Sequence, residues 1–167
     1  MISIIIPTYN NSKQLINTIQ SISKQNYDNI EIIIIDDAST DDTKSQIEKL
    51  QNKKIKYYYN VDNLGTTQSR LRGIKHSLGD YIAFLDHDDF WINDKLTIQY
   101  ECFKNKALDF VISNYIVKDL ENDSHYERNM NAFGEDFRYN IIRNPGPFFQ
   151  CCLFKKEFLL NNIDSFD

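Results

Sequence analysis

The chain contains little glycine, proline or cysteine, and it lacks any long apolar run. Its 167 residues include five glycines, three prolines and three cysteines, and the cysteines have no C-x-x-C spacing. An odd number without that spacing argues against a structural zinc and is typical of buried thiols in a reducing compartment. No apolar segment approaches the roughly 20 residues of a transmembrane helix, and the first residues do not resemble a signal peptide. We expect a cytoplasmic chain with no transmembrane segment.

Clustered basic residues are also scarce, because negative charge prevails. The net charge is −5, and the lysines are scattered along the chain or only locally paired. Binding a nucleic-acid backbone needs a clustered basic surface, so we expect no nucleic acid among the partners. Hydrophobic residues make up 41% and charged residues 26% of the chain, which is typical of a globular protein. This length predicts one domain, residues 1–167.

Apolar runs alternate with segments in which apolar residues recur at helical spacing. The runs predict strands at 2–6, 30–35, 55–59, 81–85 and 110–117. Helices are predicted over 13–24, after 39–41, from 66 or 67 to a C-terminal glycine at 79, and over 94–105. This alternation predicts βαβ units, and therefore an α/β fold with a mostly parallel sheet.

The regular pattern weakens after residue 118. Polar residues over 119–135 predict a long loop, and residues 145–147 predict a rigid turn. An apolar strand is expected over 148–154, followed by a short helix over 155–162.

Three carboxylates follow the predicted strand at 81–85. Asp86, Asp88 and Asp89 lie within four residues, at the end of a parallel strand where open α/β sheets bind ligands. Side chains alternate along an extended backbone, so Asp86 and Asp88 would project in the same direction. Mg²⁺ and Mn²⁺ prefer oxygen ligands and often complete their shell with substrate phosphates. A metal–diphosphate site is one interpretation; the other is a solvated acidic loop in which Asp89 or Asn93 caps the next helix.

Three classes of protein fit an alternating α/β domain with acids at its strand ends. A dinucleotide-binding domain needs glycines after its first strand, and residues 7–11 contain none. A phosphoacceptor receiver domain would use Asp36, Asp37 and Asp86, but it would have a surplus first strand and only Lys118 near the end of its last strand. A nucleotide-sugar transferase has a pyrimidine site at the ends of the first two strands and a metal-binding Asp-x-Asp after the fourth.

Four motifs follow the plan of the third class. They are residues 3–10 (SIIIPTYN), 34–41 (IIDDASTD), 63–70 (NLGTTQSR) and 84–89 (FLDHDD). In this order and spacing they resemble the inverting family 2 glycosyltransferases of GT-A fold, over nearly the whole chain. The resemblance implies transfer of a sugar from a UDP-type donor to a glycan or lipid-linked acceptor, with inversion and with Mn²⁺ or Mg²⁺ as cofactor.

The resemblance also implies a donor site at the ends of the first two strands. Pro7, Thr8 and Tyr9 would pack around the uracil and ribose. Asp37 would accept a charge-assisted hydrogen bond from the uracil ring. The alternative for Asp37 is an acid that favours the dipole of the next helix.

Further roles follow for the middle of the chain. Arg70 would face the base or the phosphates, unless it is an exposed helix cation. Asp86 would meet the ribose or the metal shell, and Asp88 would ligate the metal directly. Residues 145–150 (PGPFFQ) would approach the donor sugar, or simply turn into a strand, and Trp91 would line the cleft or belong to the core.

The general base has no assigned residue. In the family it is an acid shortly after a Gly-Phe-Asp segment, which residues 165–167 (SFD) resemble, so the base is expected beyond Asp167. We expect residues 1–118 to be the nucleotide-sugar and metal-binding half and 119–167 the start of an acceptor-side half that is truncated. The chain would be cytoplasmic and peripheral to the inner face of the membrane. A non-catalytic binding module, a sugar-nucleotide pyrophosphorylase and a receiver-like domain stay open as alternatives.

Overall fold

A computed structural model describes residues 1–92, 94–104, 107–119, 122, 124–128 and 148–162. The first part of the chain alternates strands and helices in the order β1 (Ile2–Thr8), α1 (Ser12–Ser23), β2 (Ile30–Asp36), α2 (Thr43–Lys49), β3 (Ile55–Tyr59), α3 (Gly65–His76), β4 (Tyr81–Phe84) and α4 (Lys95–Lys104). It continues with β5 (Phe110–Ile112), β6 (Tyr115–Asp119), β7 (Ser124–Arg128), α5 (Phe148–Cys151), β8 (Cys152–Lys155) and α6 (Lys156–Asn161).

Six strands form one mixed sheet in the order β3-β2-β1-β4-β8-β5. The first four are parallel, and β8 pairs antiparallel with both β4 and β5. Helices cover both faces, because the even-numbered isoleucines of β1 pack with α1 and α4 and Ile5 packs with α3. The prediction of an α/β fold with a mostly parallel sheet is confirmed.

One buried acid, Glu31, accepts hydrogen bonds from several segments at the amino-terminal ends of the strands. The Glu31 carboxylate accepts hydrogen bonds from the Lys56 ammonium at 2.7 Å and the Leu78 N–H at 2.6 Å. Burial alone would raise the pKa of Glu31, but these bonds and one from Ser3 lower it below its usual value. This network lies at the opposite end of the strands from Asp86.

Gly79 does not end a helix, contrary to the sequence prediction. Helix α3 stops at His76, and Gly79 lies in the connection to β4, where its N–H donates to Ser3 Oγ at 2.9 Å. A Cβ atom at Gly79 would come within 2.7 Å of the Met1 carbonyl oxygen. Close approach to β1 therefore explains this glycine.

The sequence predictions after residue 109 were partly wrong. The expected strand at 110–117 is divided between β5, in the main sheet, and β6, which forms a separate hairpin with β7. The run divides because residues 110–112 pair with β8, whereas residues 115–119 pair with β7. Strand β7 lies where a loop was expected, because β6 supplies it with a pairing partner.

The apolar run at 148–154 also differs from its prediction, since it begins with α5 and only then enters β8. Tertiary packing explains the difference, because the Phe149 ring meets the Phe84 ring edge-on with centroids 5.8 Å apart. Of the cysteines, Cys102 is exposed, contrary to expectation, whereas Cys151 and Cys152 are buried. The other predictions for 120–147, and the segment 165–167, lie outside the described residues.

Candidate donor-binding site

The turns that follow β1 and β2 are bonded to each other. The Asn10 side-chain oxygen accepts the Thr40 N–H at 2.7 Å, and the Asn10 N–H donates to Ser39 Oγ at 2.9 Å. Asn10 has φ +48° and Ala38 has φ +69°, so both turns contain a non-glycine residue in the left-handed region. The carboxyl ends of the two strands thus form one cross-linked polar edge.

The three residues proposed for the base and ribose lie on this edge in different environments. Pro7 and Thr8 are buried in β1, whereas Tyr9 is 47% exposed. The Thr8 hydroxyl has no hydrogen-bond partner within the described ranges. A buried polar group left unpaired costs about 1–3 kcal/mol, so this hydroxyl marks a position where a ligand could supply the missing partner.

Asp37 is buried, and the protein itself supplies hydrogen bonds to its carboxylate. The carboxylate accepts the Asn60 amide at 2.6 Å, the Leu64 N–H at 3.0 Å and the Gly65 N–H at 2.8 Å. Burial alone would raise the pKa of Asp37, but these bonds hold it below its usual value. Asp37 therefore fixes the start of α3, a structural role that its position in the motif did not indicate.

Arg70 and Asp86 are brought together across the edge. The Arg70 Nη2 donates to Asp86 Oδ1 at 2.6 Å, and both side chains are partly exposed. The guanidinium lies 5.9 Å from the Phe84 ring centroid and 5.5 Å from that of Phe149. The second Asp86 oxygen accepts a hydrogen bond from the Gln150 amide of α5. The sequence placed residues 145–150 near the donor sugar but did not predict this bond, because Gln150 is 64 positions from Asp86.

The acidic loop after β4 is held by α1. The Thr18 hydroxyl lies 2.9 Å from the carbonyl oxygens of both His87 and Asp89. Burial, together with the charges of Asp86 and Asp88, raises the pKa of Asp89 to about 6. Asp88 is exposed and, among the described residues, has no hydrogen bond or ion pair to its carboxylate. The loop thus presents Asp88 to solvent while its backbone is anchored.

The donor set at this loop fits a hard divalent cation that is shared with a substrate. No cluster of three or more His, Cys, Asp or Glu side chains in the described ranges could hold a metal without help. Mg²⁺ is commonly bound by one or two carboxylates together with substrate phosphates, and the unpaired Asp88 carboxylate meets that requirement. Asp86 is less suited to metal binding, because Arg70 and Gln150 already contact its oxygens.

Trp91 belongs to the core rather than to the surface of a cleft. It is 7% exposed and packs in the same cluster as the α1 residues Leu15 and Ile19. The neighbouring Phe90 and Ile92 are exposed instead.

None of the described helices is long and apolar enough to cross a membrane.

Solved glycosyltransferases share the fold of this chain. The crystal structure of residues 1–349 of S. aureus TarS in complex with UDP-GlcNAc matches 97% of this chain and 47% of that TarS fragment, with 26% identity and a TM-score of 0.74. The mannosyltransferase PcManGT from Pyrobaculum calidifontis, in complex with GDP-Man and Mn²⁺, matches 96% of the chain and 46% of its own, with 21% identity and a TM-score of 0.71. The fold is therefore the GT-A fold of nucleotide-sugar transferases.

Sequence comparison gives the family. The Glycosyl transferase family 2 model matches residues 3–160, so the chain belongs to glycosyl transferase family 2. An uncharacterized glycosyltransferase of Haemophilus influenzae is 41% identical over 123 residues, which are 72% of this chain and 49% of that protein. The Escherichia coli UDP-Glc:alpha-D-GlcNAc-diphosphoundecaprenol beta-1,3-glucosyltransferase WfaP is 39% identical over 118 residues, 71% of this chain and 47% of WfaP. The chain spans about half the length of these two relatives.

Proposed function

We propose that this chain binds a UDP-sugar at the carboxyl ends of β1, β2 and β4 and that the protein transfers the sugar with inversion. The observation that carries the proposal is the Arg70–Asp86 ion pair beside the unpaired Asp88 carboxylate. It provides positive charge for a diphosphate and an oxygen ligand for a cation within one short stretch of the edge. Two relatives, WfaP and WfgD of Escherichia coli, are named as UDP-glucose-dependent transferases.

Each residue at the edge has a distinct task in this proposal. Tyr9 and the buried Thr8 hydroxyl contact the uridine, and the one lone-pair position of the Asp37 carboxylate that its bonds within the protein leave can accept the uracil N–H. Arg70 counters the diphosphate charge. Asp88 would hold Mn²⁺ or Mg²⁺, which when bound would supply Lewis-acid stabilisation of charge on the departing phosphate.

The acceptor is proposed from the relatives. WfaP and WfgD are named for a GlcNAc-diphosphoundecaprenol acceptor, so we propose a lipid-linked glycan for this protein, in polysaccharide biosynthesis and at the inner membrane face. A hydroxyl of that glycan would attack the donor sugar from the side opposite the diphosphate, while a general base removes its proton. We propose an acid beyond Asp167 as that base.

A second candidate function is metal-dependent nucleotide-sugar binding without transfer. The roles proposed above favour it, because each of those residues would contact the donor and none of them would take the acceptor proton. For either candidate we propose a nucleotide-sugar and metal-binding half, 1–118, and an acceptor-side half that begins at 119.

Sugar transfer distinguishes the two candidates. The whole protein, with any residues beyond Asp167, is incubated with Mn²⁺, a GlcNAc-diphospho-lipid and either UDP-glucose or UDP-GlcNAc, and the product is analysed by mass spectrometry and NMR. A new β-linked glucose or GlcNAc would support the inverting transferase. UDP-sugar binding without any product would favour the binding module for this chain, and an α-linked product would contradict inversion.

A further inference from the structure

Gln150 of helix α5 contacts Asp86 in the candidate donor-binding site. Its side-chain amide donates to Asp86 Oδ2, while Arg70 donates to Asp86 Oδ1. The preceding residue, Phe149, packs its ring under the Arg70 guanidinium at 5.5 Å. Two consecutive residues of α5 therefore contact the two members of the ion pair.

The ion pair has only one of the two hydrogen bonds that such pairs commonly form. Arg–carboxylate pairs are frequently bidentate, with two parallel N–H···O bonds. Here the Arg70 Nη2 bonds to Asp86, whereas the buried Arg70 Nε has no partner within the described part of the chain. Gln150 engages the second carboxylate oxygen and thus opposes the rotation that would bring it to Nε.

We propose that Gln150 is a positioning residue of the donor site. Its amide keeps Asp86 in a one-bond pair with Arg70, so that the remaining carboxylate lone pairs face the partly exposed cleft, where a donor hydroxyl can reach them. A carboxylate has about four lone-pair positions, and two protein donors leave two for a ligand. The proposal rests on the UDP-sugar function above, because the affinity for UDP reports the orientation of Asp86.

The test replaces the amide by a group of similar length that cannot donate a hydrogen bond. Gln150→Met is compared with the wild type for UDP affinity, by calorimetry with Mn²⁺, and for the Arg70 Nε–H resonance, by NMR of the free protein. The control is Gln20→Met, because Gln20 is an exposed glutamine of α1. Gln150→Leu repeats the deletion with a different shape, in case one variant folds poorly.

In Gln150→Met we expect Asp86 to rotate into a two-bond pair with Arg70. UDP affinity should fall about fivefold to tenfold, a loss typical of one hydrogen bond. The Arg70 Nε–H resonance should shift downfield, and the control should change neither readout. A UDP affinity within twofold of the wild type, or an unmoved resonance, would overturn the positioning role.

Failure of the proposed function gives a different result. If the wild type does not bind UDP, the donor site is wrong, yet the Nε–H resonance still shows whether Gln150 controls the ion pair. A double variant with Arg70→Met adds a further check. Since Gln150 acts by preventing a two-bond pair between Asp86 and Arg70, Gln150→Met should lower UDP affinity less in the Arg70→Met background than in the wild type.

Discussion

The Asp37 carboxylate accepts the backbone N–H of Gly65 at 2.8 Å, which joins the end of β2 to the first residue of α3. Gly65 has φ +83°, a conformation that favours glycine. The proposed uracil acceptor thus also fixes the loop that leads to Arg70. Loss of Asp37 should consequently affect stability as well as binding.

Asp37→Asn should lower the free energy of unfolding by about 2 kcal/mol without any ligand, because an amide NH₂ would face N–H donors in a buried site. Thermal and urea unfolding measure this directly. Asp62→Asn is the matched control, since Asp62 is exposed. An Asp37→Asn protein as stable as the wild type would show that the carboxylate acts only on a ligand.

Glu31→Gln should destabilise the fold without affecting the donor site. The Glu31 carboxylate is 5% exposed and pairs with the half-exposed Lys56, so the loss should be about 2 kcal/mol after allowance for solvent screening. UDP affinity should not change, since the network lies at the opposite end of the sheet. A loss of UDP affinity in a folded Glu31→Gln protein would contradict this separation.

The lowered pKa of the Glu31 carboxylate also predicts that the stability of the fold decreases in acid. The pKa of Glu31 is held below its usual value by its hydrogen bonds, so its contribution to stability is present above the usual pKa and is lost as the pH falls through the lower, folded pKa. Unfolding measured between pH 6 and pH 3 should therefore show a steeper loss for the wild type than for Glu31→Gln. Equal slopes would contradict the prediction.

Asp89→Asn should stabilise the protein at neutral pH. The folded pKa of Asp89 is raised to about 6 from 3.8, so the stability it contributes below pH 3.8 is lost as the pH rises through 6. We expect a gain of about 1 kcal/mol at pH 7.5, allowing for partial exposure, and almost none at pH 3.8. Unfolding in EDTA at the two pH values tests this, and an equal gain at both would contradict it.

Ala38→Gly should also stabilise the fold. Ala38 has φ +69° in the turn after β2, and glycine adopts that conformation without the steric cost that Cβ imposes. The expected gain is about 0.5–1 kcal/mol in urea unfolding. Ala83→Gly is the contrasting variant, because Ala83 lies buried in β4 and should only lose stability. A lower free energy of unfolding for Ala38→Gly would show that the methyl group of Ala38 stabilises the fold by more than the backbone strain costs.

The first four strands could be predicted because each is an apolar run bounded by polar turns, and Ile4 and Ile5 report burial on both faces. The β6–β7 hairpin could not, because Tyr115 and its neighbours read like a continuation of the apolar run from 110, and local sequence does not encode the pairing partner. At the site, Asp86 and Arg70 were identifiable by motif. The Gln150 contact and the Asp37 bonds join residues far apart in sequence, and only the fold brings them together.

The donor site is tested most directly by UDP binding in calorimetry, with Mn²⁺ and then with EDTA, for the wild type, Asp88→Ala and the control Asp62→Ala. Both aspartates are exposed, so both variants should fold like the wild type. We expect UDP binding that requires Mn²⁺, is lost in Asp88→Ala and persists in Asp62→Ala. No UDP binding by the wild type under either condition would contradict the assignment of the donor site, and equal binding by Asp88→Ala would contradict the metal ligand.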